Sequence, residues 1–245
     1  MKLTVCMITY NEKDMLNIGL RSALTVADEI VIVDGYSNDG TWEELNSFKE
    51  KYPIIKLLQS KDNHDSLNNP EYHFGKAKQL AVDNATGDWI LWLDADECLA
   101  DNLTYEYIHE AIERPMSDVM SLEYIHFINN FSTIDNSVPI HIGLCRLHKR
   151  RNDFRYDHRK NHTLPEVKTP HAMLGGIIFH LGYLRGINKI YERYKRNLTG
   201  STAHPGGYMR YWRDWHYLGD YPTRKINMKI IPKIIREAYD IEFVG

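Results

Sequence analysis

Apolar positions in the first hundred residues switch repeatedly between strand and helix spacing. Leu3–Thr9 is a short β-rich run, and Asn11–Leu24 carries Met15, Leu16, Leu20, Ala23 and Leu24 at helical spacing. Glu29–Val33 is a mostly apolar strand, so the chain opens with a β-α-β unit. Ser37-Asn38-Asp39-Gly40 is dense in turn formers, and Thr41 with Glu44 three residues on has the spacing of a capping box for the next helix. The pattern then predicts a strand at Ile54–Leu58, a polar surface loop at Lys61–Tyr72, a helix at Gly75–Ala85 stopped by Gly87, and a buried strand at Trp89–Leu93. Strands that are apolar almost throughout and separated by helices predict a parallel sheet covered on both faces.

After Glu97 the rhythm changes. Asp101–Arg114 reads as a helix ended by Pro115, while Val119–Ile128 and Ile140–Leu147 read as longer strands joined by a polar connection, an antiparallel addition to the sheet. Residues 149–172 are crowded with Arg, Lys, His and Asp and predict a loop region. From Asn188 the pattern is helical with interleaved aromatic and basic residues. The chain therefore divides into a catalytic-type domain over 1–187, with halves 1–98 and 99–187, and a helical C-terminal extension over 188–245.

Composition narrows the function classes. Hydrophobic residues at 43% and charged residues at 26% exclude a disordered or fibrous chain, and a net charge of -3 provides no overall positive field to collect nucleic acid. Cys6, Cys98 and Cys145 are far apart and read as reduced thiols; Cys145 and His148 with His158 and His162 form only a loose zinc-like set. No apolar run approaches the roughly 20 residues of a membrane-spanning helix, and a β-rich stretch directly follows Met1-Lys2, so a cytoplasmic location is expected.

The strongest chemical signal is Asp94-Ala95-Asp96-Glu97, directly after the strand Trp89–Leu93. In an open parallel sheet, ligands bind outside the carboxyl ends of the strands, and this sequence puts three carboxylates there. In a strand-like continuation Asp94 and Asp96 share one face, because side chains alternate with period two. Two hard oxygen donors on one side suit Mg²⁺ or Mn²⁺, which keep waters and recruit substrate phosphates as further ligands. The competing reading is that these acids begin a loop and cap the following helix. Asp34 ends the second strand and Thr9-Tyr10-Asn11-Glu12 ends the first, so three strand ends direct polar groups toward one crevice. Taken singly, Asp34 and Asn11 also read as turn residues that satisfy local backbone groups.

Thr9–Glu12, Ala27–Gly35 with Ser37–Thr41, Gly75–Asp88 and Trp89–Glu97, in that order and spacing, resemble the family 2 glycosyltransferases with the GT-A fold. Phe74-Gly75, Lys78 and Leu93–Glu97 are similar to the soluble single-domain bacterial-type enzymes that build lipopolysaccharide cores and related glycans; Gln79 departs from the asparagine usual there. The resemblance implies an α/β, Rossmann-like, mainly parallel mixed sheet with helices on both faces. It implies that Thr9, Asn11 and Glu12 line the nucleotide base pocket, that Asp34 hydrogen-bonds the base or ribose, and that Lys78 faces the base or diphosphate. Asp94 then touches the ribose or a metal-bound water, with Ala95 beside it at the nucleotide sugar, and Asp96 binds the divalent cation. His180 closes Ile177-Ile178-Phe179, where related enzymes carry a histidine that completes the metal or diphosphate site; a structural histidine is the competing reading.

These roles imply inverting, metal-dependent transfer from a nucleoside-diphosphate sugar, UDP favoured with GDP or dTDP as alternatives, to a hydroxyl of a glycan or lipid-linked acceptor. Direct displacement needs a base for the acceptor proton, and Glu166, His162 and Asp157 are the candidates in that order, with Asp153 a weaker fourth. Related sequences carry a His-Glu pair here, whereas this chain has His162 and only later Glu166; all four also read as solvated loop groups. A nucleotidyltransferase and a non-catalytic carbohydrate-binding protein are the competing functions. The first is disfavoured because Tyr10–Lys13 stands where a Gly-rich, arginine-bearing loop is needed. In the tail, Tyr208–Tyr221 and the lysines and isoleucines of 225–235 read either as core packing or as a contact with an anionic membrane or a second subunit.

Overall fold

The computed structural model describes residues 1–63, 73–136, 144–156, 171–185, 188–190 and 222–241. β1 (Leu3–Thr9) and β2 (Glu29–Asp34) run parallel, joined by α1 (Lys13–Leu24), in a register that sets Thr9 opposite Asp34. β3 (Ile55–Gln59) follows α2 (Thr41–Lys51) and adds in parallel to β2, with Gln59 opposite Asp34. β4 (Trp89–Trp92) follows α3 (Phe74–Asp83) and adds in parallel on the other side of β1.

Strand alternation sorts this nucleus into two apolar layers. Leu3, Val5, Met7, Ile30, Ile32, Trp89 and Leu91 pack with Leu16 and Leu20 of α1 and Leu45 of α2. Cys6, Ile8, Val31, Val33, Ile90 and Trp92 face the opposite way, onto Ala77, Ala81 and Val82 of α3. Both faces of the sheet are therefore covered, as expected from strands with almost no polar positions.

The second half adds β5 (Glu97–Leu99), α4 (Tyr105–Glu113), β6 (Val119–Ile128), β7 (Asn130–Asp135), β8 (Leu144–Lys149) and β9 (Ala172–His180). β8 lies antiparallel between β4 and β6, and β6 pairs antiparallel with β7 and parallel with β9. β9 also pairs antiparallel with β5, and β10 (Thr223–Lys225) closes the edge on β7. The result is one mixed sheet with a parallel nucleus. α5 (Lys233–Ala238) returns to the body, where Ile231 and Ile235 are buried with Met15, Ile18, Phe127 and Phe179. The aromatic run Tyr208–Tyr221 and the 187/188 boundary lie outside the described residues.

Several expected boundaries shift for local reasons. α1 begins at Lys13 rather than Asn11, because Asn11 takes a left-handed backbone with φ 55 that does not start a helix. Thr41 is the first residue of α2 rather than its cap; Gly40 occupies the cap with φ 97, and Asp39 accepts from the Thr41 backbone and hydroxyl. α4 begins at Tyr105, capped by Thr104, instead of at Asp101. The polar connection after β6 contains β7, which turns back at Asn129 with φ 62 and buries Ile134. Among the described residues 222–241, the strand β10 precedes the short helix α5.

Candidate active site

Thr9, Asp34 and Gln59 end three adjacent parallel strands in register, so one row of polar side chains caps the apolar nucleus. Asp34 is fully buried and accepts four hydrogen bonds: from Thr9 Oγ1 at 3.0 Å, Ser37 Oγ at 2.5 Å, Ser37 N at 2.9 Å and Gln59 Nε2 at 3.3 Å. The Asn11 backbone in turn donates to Ser37 Oγ at 2.9 Å, and Asn11 Oδ1 accepts from Asn38 N at 3.0 Å. Asp34 thus anchors the loop after β2 to the loop after β1, and its lone pairs are committed to protein donors.

The acidic run is not a strand continuation. β4 stops at Trp92, and Glu97 N donates to the Asp94 carbonyl at 3.1 Å, which closes a tight turn over Asp94–Glu97. The turn sends its acids to different partners. Asp94 accepts from Trp92 Nε1 at 2.9 Å and lies 3.4 Å from Arg146 Nη1. Glu97 accepts from Asp94 N at 2.8 Å, from Arg146 Nη2 at 2.7 Å and from the Tyr124 hydroxyl. α1 approaches this turn so closely that a Cβ on Gly19 would stand 2.4 Å from the Ala95 carbonyl oxygen.

Buried charge dominates the electrostatics here. Burial opposes the charge on Asp94, but Lys78 and Arg146 hold its pKa down at about 2. For Glu97 burial prevails over the pull of Arg146 and pushes the carboxyl up to about 7. Lys78 is drawn down to about 8 by burial, against the attraction of Asp94; its ammonium lies 4.3 Å from the Trp92 ring and 6.0 Å from that of Tyr156. Gln79 accepts from Tyr156 N at 2.8 Å and so holds that ring beside Lys78.

Asp96 faces the other way, toward the second half of the chain. Its Oδ2 lies 3.5 Å from His180 Nε2 and 3.5 Å from Arg185 Nη2. Arg185 also pairs with Glu12 and, at 3.7 Å, with Asp14, so it ties the start of α1 to the acidic turn. His180 Nδ1 meets His126 Nδ1 at 2.8 Å, and burial, followed by the neighbouring His180, holds His126 well below the ordinary histidine range. The buried Nε groups of Arg146 and Arg185 meet no hydrogen-bond partner among the described residues.

A carboxylate oxygen and an imidazole nitrogen 3.5 Å apart form a mixed donor pair that a divalent transition ion such as Mn²⁺ accepts more readily than Mg²⁺. Among the described residues, no group of three His, Cys, Asp or Glu side chains gathers as a metal centre. The pair supplies two donors of the kinds such an ion accepts.

Glu166, His162 and Asp157 lie outside the described residues. Asp153 is exposed and held by Arg151 through bonds of 2.9 and 2.8 Å, a surface ion pair and a poor base. His158 and His162 of the loose zinc-like set lie outside the described residues; the His148 ring nitrogens meet Lys149 O and the Tyr156 hydroxyl, each at 2.9 Å, while Cys145 Sγ lies 2.8 Å from His171 Nδ1. Arg146, Arg185 and His126 escaped the sequence reading. A buried arginine inside the apolar strand Leu144–Leu147 was a visible signal; the pairing of His126 with His180 was not.

Residues 4–181 match the model of glycosyl transferase family 2. The chain belongs to that family. A TPR repeat-containing protein of Synechococcus elongatus is 31% identical over 162 residues, covering 63% of this chain and 33% of that protein. The SPbeta prophage-derived glycosyltransferase SunS of Bacillus subtilis is 23% identical over 200 residues, covering 80% of this chain and 43% of SunS. The family 2 chain thus spans less than half the length of these curated relatives. S. aureus TarS superposes with a TM-score of 0.51 at 15% identity, covering 88% of this chain and 43% of TarS, and the shared architecture is the GT-A fold. Among the described residues no helix is long and apolar enough to cross a membrane.

Proposed function

We propose that this family 2 chain transfers a sugar from a nucleoside-diphosphate sugar, UDP favoured over GDP or dTDP, to a hydroxyl of a glycan or lipid-linked acceptor, with inversion and with a divalent cation. The observation that carries the reading is the tight turn Asp94–Glu97 at the carboxyl end of β4, with Asp96 3.5 Å from His180. Asp96 and His180 would hold the cation, which neutralises charge developing on the departing diphosphate as a Lewis acid. Lys78 and Arg185 bring protein cations to the same crevice. Thr9, Asn11 and Glu12 bound the nucleotide side, and Asp34 acts there by holding the loop that faces the base or ribose rather than by a free carboxylate. Asp94 and Ala95 turn toward the sugar nucleotide, and Glu166, ahead of His162 and Asp157, takes the acceptor proton.

Thermal unfolding with a panel of UDP-, GDP- and dTDP-sugars, with and without Mn²⁺, tests this reading, because a ligand of the native state raises apparent stability by mass action. A metal-dependent upward shift with one donor, accompanied by slow release of its nucleotide, is expected. Stabilisation without release would instead mark a carbohydrate-binding protein, and no shift with any donor would overturn the proposal.

A further inference from the structure

We infer that His126 is a positioning residue that holds the His180 ring so that its Nε2 faces Asp96; the inference rests on the reading of Asp96 and His180 as the cation pair. β6 and β9 are parallel neighbours, and their register sets His126 opposite His180. The two Nδ1 atoms are 2.8 Å apart, and two neutral imidazoles bond through these atoms only when one carries its proton there and the other does not. The surrounding rings hold this arrangement: Tyr124 lies 4.7 Å and Tyr183 5.4 Å from the His126 ring, and Tyr183 lies 5.3 Å from that of His180.

Held from its Nδ1 side, the His180 ring turns Nε2 toward Asp96 Oδ2 at 3.5 Å, so that the nitrogen and the carboxylate oxygen border one space. Gly182 keeps that space open, since a Cβ there would stand 2.6 Å from His180 Nε2 and 2.8 Å from Asp96 Oδ2. A ring nitrogen and a carboxylate oxygen with room between them are a donor pair for a cation, and a histidine ligand is oriented through its other ring nitrogen.

Mn²⁺ affinity, measured with the full chain in the presence of UDP, provides the readout. His126→Leu should weaken Mn²⁺ binding about 10- to 100-fold. His126→Asn, which returns an acceptor near the lost Nδ1, should restore most of it, and both variants should keep wild-type circular dichroism. Asp96→Asn and His180→Ala separate the two layers of argument. If neither lowers Mn²⁺ affinity, the cation reading itself is wrong; if both do and His126→Leu does not, the role assigned to His126 is wrong.

Discussion

The two sides of the crevice are built by opposite means. On the side of β1, β2 and β3, Thr9, Asn11, Asp34, Ser37 and Gln59 share short hydrogen bonds around one buried carboxylate, and all come from the first sixty residues. On the side of β4, three acids of one turn meet Lys78, Arg146, His180 and Arg185, drawn from α3, β8, β9 and the residues after it. The first side is a hydrogen-bonded frame in which local donors compensate one charge. The second is an array of alternating charges whose partners lie far apart in the chain. A hydrogen-bonded frame fails gradually, because each bond contributes little net free energy, whereas a buried charge that loses its counter-ion is costly.

The sharpest break in that comparison is Arg146→Met. It leaves Asp94 and Glu97 buried without their shared cation, and about 3–5 kcal/mol of unfolding free energy should be lost. Urea denaturation followed by circular dichroism measures it; a loss no larger than that of a surface substitution would make the two sides equivalent. Asp96→Ala should act on chemistry instead. Removing a ligand that supports several kcal/mol of transition-state stabilisation lowers turnover on the order of 10³-fold. The fold should survive because Arg185 keeps Glu12 and Asp14 as partners. Wild-type turnover in this variant would remove the metal from the reading.

Asp34→Ala tests the frame. It strands the donors of Thr9, Ser37 and Gln59 and should cost about 1–3 kcal/mol of stability. The loosened loop should also raise the Kd for UDP while turnover in the bound complex changes less. Titration calorimetry with an unchanged Kd would assign Asp34 to folding alone.

The smallest effects are in pH dependence, and the two buried groups on the charged side have opposite signs. Glu97 titrates near 7 in the folded protein against an ordinary 4.5. Its contribution to stability is fully present below pH 4.5 and is lost as pH rises through about 7. Lys78 titrates near 8 against an ordinary 10.5, so its folding penalty applies below pH 8 and is relieved as pH rises from 8 to 10.5. Stability measured across pH 5–10 should therefore fall and then recover as these two contributions pass. Glu97→Gln should flatten the fall, and Lys78→Met the recovery.

Legibility in the sequence followed the same division. β1, β2 and β4 were readable because each is apolar on both faces, and the polar residues Thr9, Asp34 and Asp94 that follow their apolar runs could be located in the sequence. What each of those residues does was less readable. Asp34 looked like a ligand contact, and its four protein donors become visible only when Thr9, Ser37 and Gln59 are brought around it. The pattern of period two carried Asp94 and Asp96 onto one face, whereas the chain turns there and separates them, because the turn is closed by Glu97 and pressed against Gly19. Glu166, His162 and Asp157 stand outside the described residues.

By itself the sequence determined the class of sheet, the order of its first strands and the placement of acids at a strand end. Those properties follow from the alternation of apolar and polar residues, a short-range code in which each residue mainly reports its own burial. Tertiary structure alone decided the partners: Arg146 for Asp94 and Glu97, Arg185 for Glu12 and Asp96, His126 for His180. These pairs join residues dozens of positions apart, and their geometry depends on strand register, on the Gly19 and Gly182 gaps and on the turn at Asp94. Charge pairing depends on distance and burial, and neither is encoded in the spacing of residues along a chain.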